Sequence, residues 1–387
     1  MEKFIPYGKQ FIDKTDLETV LKVLKSDFLT QGPKIPEFED NISNFVGAKY
    51  SVAVNSATSA LHIACLALGL KSNDILWTSP NTFVASANCG LYCGSRIDFV
   101  DICPKTLNIC PKLLEEKLIC AKKLNKLPKI IITVHFGGNP SNMKEIYKLS
   151  KKFNFKIIED ASHALGAKYN NNFIGKCEFS DITTFSFHPV KIITTGEGGA
   201  SLTNNKKLHD KMVFYRSHGV TRNKKLLFKK NMPEWYYEQQ FLGFNYRITD
   251  IQAALGTSQM KKLQAYIFKR NNLANYYKKH LSKLPLQLQI IDDNSYSSYH
   301  LMVIQLIEKK LINKRDQIFE NLKKKNIGVN LHYYPVHLHP FYKDLGFKLG
   351  DFPNAENYSR KAITLPLHPQ LTLKQIDYIV QSLKKEL

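Results

Sequence analysis

The sequence lacks any run of about 18 consecutive apolar residues, the length a helix needs to span a membrane. The N terminus, MEKFIPYGKQ, has charges and a proline where a signal peptide needs an apolar stretch. Internal repeats, low-complexity linkers and helix-turn-helix or RNA-binding signatures are also missing. These absences predict a cytosolic protein, and its 387 residues, 43% of them hydrophobic, are enough to bury a sizeable core.

Acidic residues are scarce: 33 Asp and Glu stand against 55 Lys and Arg, a formal net charge of +22. Such an excess suggests binding to nucleic acid or to a membrane surface. The basic residues, however, form short scattered clusters such as 122–123 and 323–325, and aromatic residues seldom separate them. A solvated lysine-rich surface that attracts an anionic substrate explains this better, and a non-catalytic nucleic-acid-binding regulator is the alternative.

Cysteine and histidine patterns give little support to a metal site. The seven cysteines are an odd number without a C-x-x-C pair, which favours free buried thiols in a reducing compartment. His332, His337 and His339 are close in sequence, but we find no carboxylate or cysteine to complete a cluster with them. The sequence therefore predicts no metal.

From about residue 50, short apolar runs alternate with helical patterns, which predicts an α/β fold with a mostly parallel central sheet. The predicted strands are 51–54, 75–78, 97–100, 129–134, 156–159, 181–187 and 200–202. The predicted helices are 15–27, with a capping box at 15–18, then 57–69, 83–92, 142–152 and 206–216.

The rest of the chain follows a different pattern. Residues 220–240 interrupt the alternation and predict a loop. A long helix over 249–281, a strand over 299–306, a helix over 313–325 capped by Asn313 and a closing helix over 373–387 predict a smaller α+β domain. We therefore expect an N-terminal arm at 1–14, a large domain at 15–250, and a linking helix with a small C-terminal domain at 251–387.

Candidate catalytic residues follow two neighbouring strands. Asp160 comes directly after the strand over 156–159, and His163 follows three residues later. Lys191 follows the strand over 181–187. Ligands of a parallel sheet bind at the carboxyl ends of its strands, so these side chains are expected at one edge. Taken alone, Asp160 also fits a helix cap or turn, and Lys191 also fits a surface lysine.

An anion site is predicted beside them. Residues 55–59, Asn-Ser-Ala-Thr-Ser, lie between a strand and a helix, where free backbone N–H groups favour a phosphate. A simple N-cap by Ser56 or Thr58 is the alternative. A lysine amine, a carboxylate for a ring nitrogen, a flat group over the ring and a phosphate cradle are together what an enzyme that uses pyridoxal phosphate (PLP) requires.

Several motifs, in this order and spacing, resemble the DegT/StrS-type nucleotide-sugar aminotransferases, a branch of the fold-type I PLP enzymes. They cover nearly the whole chain: IPYG at 5–8, LTQGP at 29–33, NSATSALHIA at 55–64, SPNTFVASAN at 79–88, EDASHALGA at 159–167, SFHPVK at 186–191, TGEGGA at 195–200, RSHG at 216–219, GFNYRITDIQAALG at 243–256, HYYPVH at 332–337 and LPLHP at 365–369. The resemblance implies a large domain with a mostly parallel central sheet plus a smaller C-terminal α+β domain.

The resemblance also implies roles for matching residues. Lys191 corresponds to the Schiff-base lysine, Asp160 to the partner of the pyridine nitrogen, and His163 to a residue close to the ring face. Phe83 corresponds to the stacking aromatic, although it also fits an ordinary core position. Asn245 corresponds to a residue that reaches the phosphate from a neighbouring subunit, which implies a homodimer with shared active sites.

The remaining implied positions fall into two sets. Those expected at the phosphate are Ala57, Thr58 and Ser186. Those expected in the sugar-nucleotide pocket are Tyr7, Asp27, Phe28, Leu29, Thr30, His188, His332, Tyr333, Tyr334 and Pro335.

The implied reaction is a ping-pong transamination, with Lys191 moving the proton and L-glutamate donating the amino group. DASHALG, SFHPVK and RSHG are most similar to the pseudaminic acid branch of the family. That branch implies amination at carbon 4 of a UDP-linked 2-acetamido-2,6-dideoxy-4-keto-hexose. A dTDP-4-keto-6-deoxyhexose or a UDP-4-keto-pentose is the alternative substrate. Lys191 argues against the branch that carries histidine there and catalyses dehydration.

Overall fold

A computed structural model describes residues 3–387 of the chain. The strands are β1 Tyr50–Val54, β2 Ile75–Thr78, β3 Arg96–Phe99, β4 Ile130–Val134, β5 Lys156–Asp160, β6 Lys168–Tyr169, β7 Asn172–Phe173, β8 Ile182–Ser186, β9 Gly199–Thr203, β10 Val220–Thr221, β11 Glu238–Gln239, β12 Leu286–Leu288, β13 Ser295–Tyr296, β14 Met302–Leu306 and β15 Ala362–Leu365.

The α-helices are α1 Lys14–Leu24, α2 Lys34–Val46, α3 Ala57–Ala67, α4 Ala85–Tyr92, α5 Pro111–Lys123, α6 Met143–Phe153, α7 Lys206–Arg216, α8 Asp250–Met260, α9 Leu263–Leu281, α10 Lys309–Asn313, α11 Arg315–Lys324, α12 Pro340–Asp344, α13 Pro353–Lys361 and α14 Leu373–Lys384. Two short 3₁₀ turns, Phe136–Gly138 and Val336–Leu338, complete the elements.

The central sheet has seven strands in the order β1-β9-β8-β5-β4-β2-β3. The neighbours β5–β8, β5–β4, β4–β2 and β2–β3 pair in parallel, whereas β9 pairs antiparallel with β1 and β8. Asp160, the last residue of β5, lies opposite Val134 of β4 and Thr184 of β8. The carboxyl ends of three central strands therefore meet at one edge, and the predicted α/β fold with a mostly parallel sheet is confirmed.

A second sheet contains β12, β14 and β15, all antiparallel. Its apolar residues share a core with α9, α11 and α14 that includes Tyr277, Ile304 and Leu383. Ile5, near the N terminus, is buried in the same core and bridges to Ile327. The central sheet packs against cores of its own that include Phe185 and Ile132. These separate cores are consistent with a large and a small unit, while the boundaries at 14 and 250 stay a prediction.

Several predicted helix ends are wrong. Helix α1 begins one residue earlier than predicted, because Asp13 caps it in a reciprocal pair with Asp16 instead of a box at 15–18. The predicted helix over 249–281 is two helices, α8 and α9, that are interrupted after Met260. The predicted cap Asn313 is instead the last residue of α10, and α11 follows Lys314.

The 220–240 segment is an irregular excursion, as predicted, held by a two-residue ladder between β10 and β11. The seven cysteines are all free thiols, but the expectation that they are buried holds only for Cys65, Cys89 and Cys177. The others are half-buried or, for Cys120, exposed. Within residues 3–387, no helix combines the length and the apolar character that crossing a membrane requires.

Candidate active site

A cavity of about 900 Å³ opens at the carboxyl edge of the central sheet. Its floor is formed by the carboxyl ends of β4, β5 and β8 and by the first turn of α3. Residues 330–333, which follow α11 in the C-terminal part of the chain, form part of its wall. This volume lies within the usual range for small-molecule sites.

The structure brings together most of the predicted site residues in this cavity. They are Lys191, Asp160, His163, Ala57, Thr58, Phe83, Ser186, Tyr7, His188, His332 and Tyr333. The other predicted residues lie outside the lining of this cavity in the single chain: Asn245, Asp27, Phe28, Leu29, Thr30, Tyr334 and Pro335. Asn245 and residues 27–30 are exposed, so they remain available to another copy of the chain.

Asp160 is buried, and both of its carboxylate oxygens have partners. Oδ1 accepts a hydrogen bond from the backbone N–H of Ser162 at 3.1 Å, and Oδ2 accepts one from the Ser86 hydroxyl at 2.6 Å. The Ser86 oxygen lies 2.8 Å from the Thr82 hydroxyl. Since Ser86 gives its proton to Asp160, Thr82 is its donor. This relay stabilises the ionised carboxylate at the cavity floor.

Lys191 and Asp160 both line the cavity. Lys191 lies in the loop after β8, and its own backbone N–H donates to the His188 carbonyl at 2.9 Å. Burial lowers the pKa of the Lys191 amine to about 8, although the attraction of Asp160 opposes the shift. An amine with this pKa is partly neutral near physiological pH and can act as a nucleophile or a base. Because Lys191 also lines the cavity, its position differs from that of an ordinary surface lysine.

The first turn of α3, where we predict the anion site, lines the cavity. Ser56 caps the helix by accepting from the Ser59 N–H at 3.1 Å, and this cap leaves the N–H groups of Ala57 and Thr58 without a side-chain partner among residues 3–387. The backbone N–H groups of Ala57 and Thr58 belong to the first turn, where intrahelical partners are missing. A Cβ at Gly199 would lie 2.6 Å from the Ala57 nitrogen, so only glycine lets β9 approach this turn.

His163 is held in one tautomer. Its Nδ1 accepts from the Gly137 N–H at 3.3 Å, so the proton is on Nε2, which donates to the Tyr333 oxygen at 3.0 Å. Burial and the nearby Lys191 charge lower the pKa of His163 well below its ordinary value, so the ring is neutral. Tyr333 is left with a hydroxyl proton to donate to a ligand.

Phe83 lies in the cavity wall with 58% of its surface exposed, so the alternative of a core aromatic is wrong. Its exposed ring can cover a planar ligand. Tyr7 lies in the wall too, with its ring centroid 5.3 Å from that of His332. Burial raises the pKa of the Tyr7 phenol, which keeps it a neutral hydrogen-bonding group.

Several lining residues were not predicted, including Ser162, Glu197, Gln252, His300 and Asn330. Gln252 had a sequence signal, since it completes the capping box of α8, and its amide also donates to the Glu197 carbonyl at 2.9 Å. Ser86 lies within the quoted 79–88 motif, but its contact with Asp160 depends on packing between elements 74 residues apart.

The three histidines His332, His337 and His339 do not form one cluster in the structure. His332 contacts Thr364 at 3.0 Å, and His337 pairs with the Glu356 carboxylate at 3.0 Å. Even so, among residues 3–387 no group of three or more His, Cys, Asp or Glu is arranged to hold a metal ion.

A buried carboxylate, an amine with a lowered pKa and a helix N terminus, gathered at the carboxyl edge of a mostly parallel sheet, define a site for a phosphorylated, ring-containing coenzyme. The class is that of coenzyme-dependent group-transfer enzymes. The chain belongs to the DegT/DnrJ/EryC1/StrS aminotransferase family, whose profile matches residues 10–384. The predicted family and enzyme class are thus confirmed.

Individual relatives agree with this assignment. The chain is 41% identical over 382 residues to the UDP-4-amino-4,6-dideoxy-N-acetyl-beta-L-altrosamine transaminase of Campylobacter jejuni, covering 98% of this chain and 96% of the relative. Among solved structures it is similar to Helicobacter pylori PseC, an aminotransferase involved in the biosynthesis of pseudoaminic acid. That match has a TM-score of 0.90, 34% identity and 99% of both chains covered.

A more distant solved structure is NtdA from Bacillus subtilis with bound cofactor PMP. Its TM-score is 0.81 and its sequence is 28% identical, with 97% of this chain and 82% of the other covered.

Proposed function

We propose that the chain is a PLP-dependent aminotransferase that moves an amino group from L-glutamate to carbon 4 of a UDP-linked 2-acetamido-2,6-dideoxy-4-keto-hexose. The observation that carries the chemistry is the pair formed by Lys191, an amine with a pKa of about 8, and Asp160, a buried carboxylate in the same cavity. The sugar nucleotide is proposed from the 41% identity to the altrosamine transaminase and the likeness to PseC.

The donor set fits pyridoxal phosphate. Asp160 would hold the ring nitrogen, and the free N–H groups of Ala57 and Thr58 with the Ser186 hydroxyl would hold the phosphate. Phe83 and His163 supply the flat groups that would lie against the ring. When bound, the coenzyme supplies an electron sink for the electrons of the donor's Cα–H bond.

The chain's own residues have distinct tasks. The Lys191 amine holds the coenzyme and, once released, takes and returns the proton at the reacting carbon, because its neutral form is accessible near pH 8. Asp160, with its charge stabilised by Ser86, keeps the ring nitrogen protonated. Tyr333 and Tyr7 offer neutral phenols to the oxygen atoms of the sugar.

We also propose a cytosolic homodimer with shared active sites. Asn245 is exposed and lies outside the cavity lining of its own chain, which supports a role at the partner's phosphate. Exposed apolar side chains on α1, Leu17, Leu21 and Leu24, surround a groove that also favours association. The net charge of +22 favours capture of an anionic nucleotide sugar.

Two experiments test the proposal. The purified protein should absorb visible light, and borohydride should attach the coenzyme to Lys191. The variant Lys191→Ala should prevent this attachment. Lys176→Ala should not, because Lys176 lies outside the cavity and its amine donates to the Asn172 side chain at 2.9 Å. A colourless protein that gains nothing from added coenzyme would refute the enzyme assignment, and salt-sensitive retention on DNA would support the regulator instead.

The substrate is tested by turnover on a panel of 4-keto sugar nucleotides with L-glutamate as the donor. We expect the N-acetylated UDP-hexose to be aminated with the highest kcat/KM. Exclusive use of a dTDP-linked sugar or of a UDP-4-keto-pentose would leave the aminotransferase assignment intact and refute the substrate.

A further inference from the structure

Three thiols lie together on two packed helices, outside the lining of the active-site cavity. Cys65 of α3 and Cys89 of α4 are fully buried, and their sulfur atoms are 3.7 Å apart. Cys93 follows α4 immediately, one helical turn after Cys89, and its thiol lies close enough to interact electrostatically with the Cys65 thiol. Unlike the other two, Cys93 is only half-buried, so a small solute can reach it.

A histidine completes the cluster. His62, one turn before Cys65 on α3, is only 4% exposed, and its Nδ1 pairs with the Tyr246 hydroxyl at 3.1 Å. Its Nε2 has no hydrogen-bond partner within residues 3–387. The imidazole ring nevertheless lies close enough to the Cys93 thiol to interact with it electrostatically. A buried nitrogen without a firm partner beside a half-buried thiol is unusual for a purely structural contact.

These contacts divide the thiols into two kinds. The hydrogen bond from Cys65, opposed by burial and aided by His62, lowers the pKa of Cys93 to about 6. Burial raises the pKa of Cys65 well above its ordinary value. The other titratable groups near Cys93 are the phenols of Tyr215 and Tyr246. The half-buried thiolate can therefore react with a peroxide, and the buried thiol beside it can close a disulfide once it gives up its proton.

We propose that Cys93 is a peroxide-sensitive thiol and that Cys65 resolves its oxidised form as an intramolecular disulfide. The Cys93 sulfur attacks one oxygen of a hydroperoxide, the O–O bond breaks, and the sulfur keeps that hydroxyl group as a sulfenic acid. The other oxygen leaves as water or an alcohol after protonation. The Cys65 sulfur then attacks the Cys93 sulfur, the S–S bond forms, and hydroxide leaves with the Cys65 proton as water. The two thiols supply the two electrons that the peroxide accepts.

The test treats the full-length protein with hydrogen peroxide and maps its peptides by mass. We expect loss of two hydrogens in a peptide pair joined through Cys65 and Cys93, reversed by dithiothreitol. In Cys65→Ser the sulfenic acid should persist and be trapped by dimedone at Cys93, and in Cys93→Ser neither product should form. Cys120→Ser, at an exposed thiol, is the matched control and should behave as the wild type.

Alkylation by iodoacetamide gives a second readout that does not depend on oxidation. Between pH 6 and pH 8.5 the rate at Cys93 should rise only about twofold, whereas a cysteine peptide with an ordinary pKa of about 8.5 should gain more than 100-fold. Dimedone adducts at Cys120 alone, a bridge that excludes Cys65, or a Cys93 rate that rises like that of the peptide would each overturn the proposal.

Discussion

The hydroxyl of Ser86 is expected to control where the proton of the coenzyme ring resides. Ser86 is fully buried and donates to Asp160 at 2.6 Å, which is the length of a charge-assisted hydrogen bond. Replacing Ser86 with Ala removes a stabilisation of the carboxylate worth about 1.5–3 kcal/mol. The equilibrium between a proton on the ring nitrogen and a proton on Asp160 should therefore shift roughly 10- to 100-fold toward Asp160.

The ring nitrogen must be protonated for the electron sink to work, so the half-reaction with L-glutamate should slow in Ser86→Ala by up to the same factor, with a smaller change in KM. Rapid-mixing absorbance measures that rate, and the ¹⁵N chemical shift of labelled coenzyme reports the proton directly. Thr82→Val should give a smaller effect in the same direction, since it removes only the donor behind Ser86.

A matched control is Ser95→Ala. Ser95 is 3% exposed and donates to the Gly90 carbonyl at 2.9 Å, just beyond the same helix. This variant should lose some stability and leave the ring proton and the rate unchanged. If a folded Ser86→Ala protein keeps the wild-type ¹⁵N shift and a rate within twofold of the wild type, the assignment of Ser86 as a positioning residue is wrong.

Three further predictions concern buried charges and tautomers. The rate at which the coenzyme-free protein binds the coenzyme should rise about tenfold from pH 7 to pH 9 and then level off. The reason is that the lowered pKa of Lys191, about 8, sets the fraction of its amine that is neutral. A rate that continues to rise to pH 10 contradicts this. Burial raises the pKa of Glu159, but hydrogen bonds from His135, Ser180 and Thr183 lower it overall. The ionised Glu159 therefore stabilises the fold above its unfolded pKa of about 4.3, and this stabilisation is lost as the pH falls through the folded pKa. Glu159→Gln should thus cost about 3 kcal/mol in urea unfolding at pH 7 and less in acid, and a pH-independent cost refutes the charge argument. Tyr333→Phe leaves the His163 Nε2–H unpaired, which should cost about 1–3 kcal/mol of stability and raise the KM of the sugar nucleotide; an unchanged KM contradicts its donor role.

Local features of this fold were predictable because they depend on neighbouring residues. Strand β2 and helix α7 occupy the predicted residues, since their apolar patterns and flanking caps are local signals. The break after Met260 and the end of α10 at Asn313 were not predicted, because neither position has a proline or glycine that would mark a helix end in the sequence. The amphipathic helix α2 was missed although its Gly47 stop has the usual left-handed conformation.

By itself, the sequence determined the fold class and, through its motifs, the family. It also placed Lys191 and Asp160 at one sheet edge, because the carboxyl ends of parallel strands converge there. Only the tertiary structure decided what surrounds those groups and how deeply they are buried. The Ser86 bond to Asp160, the tautomer of His163 and the lowered pKa of Lys191 arise between residues far apart in sequence. Burial and hydrogen bonding set these properties, and both depend on which elements pack together, which no local pattern encodes.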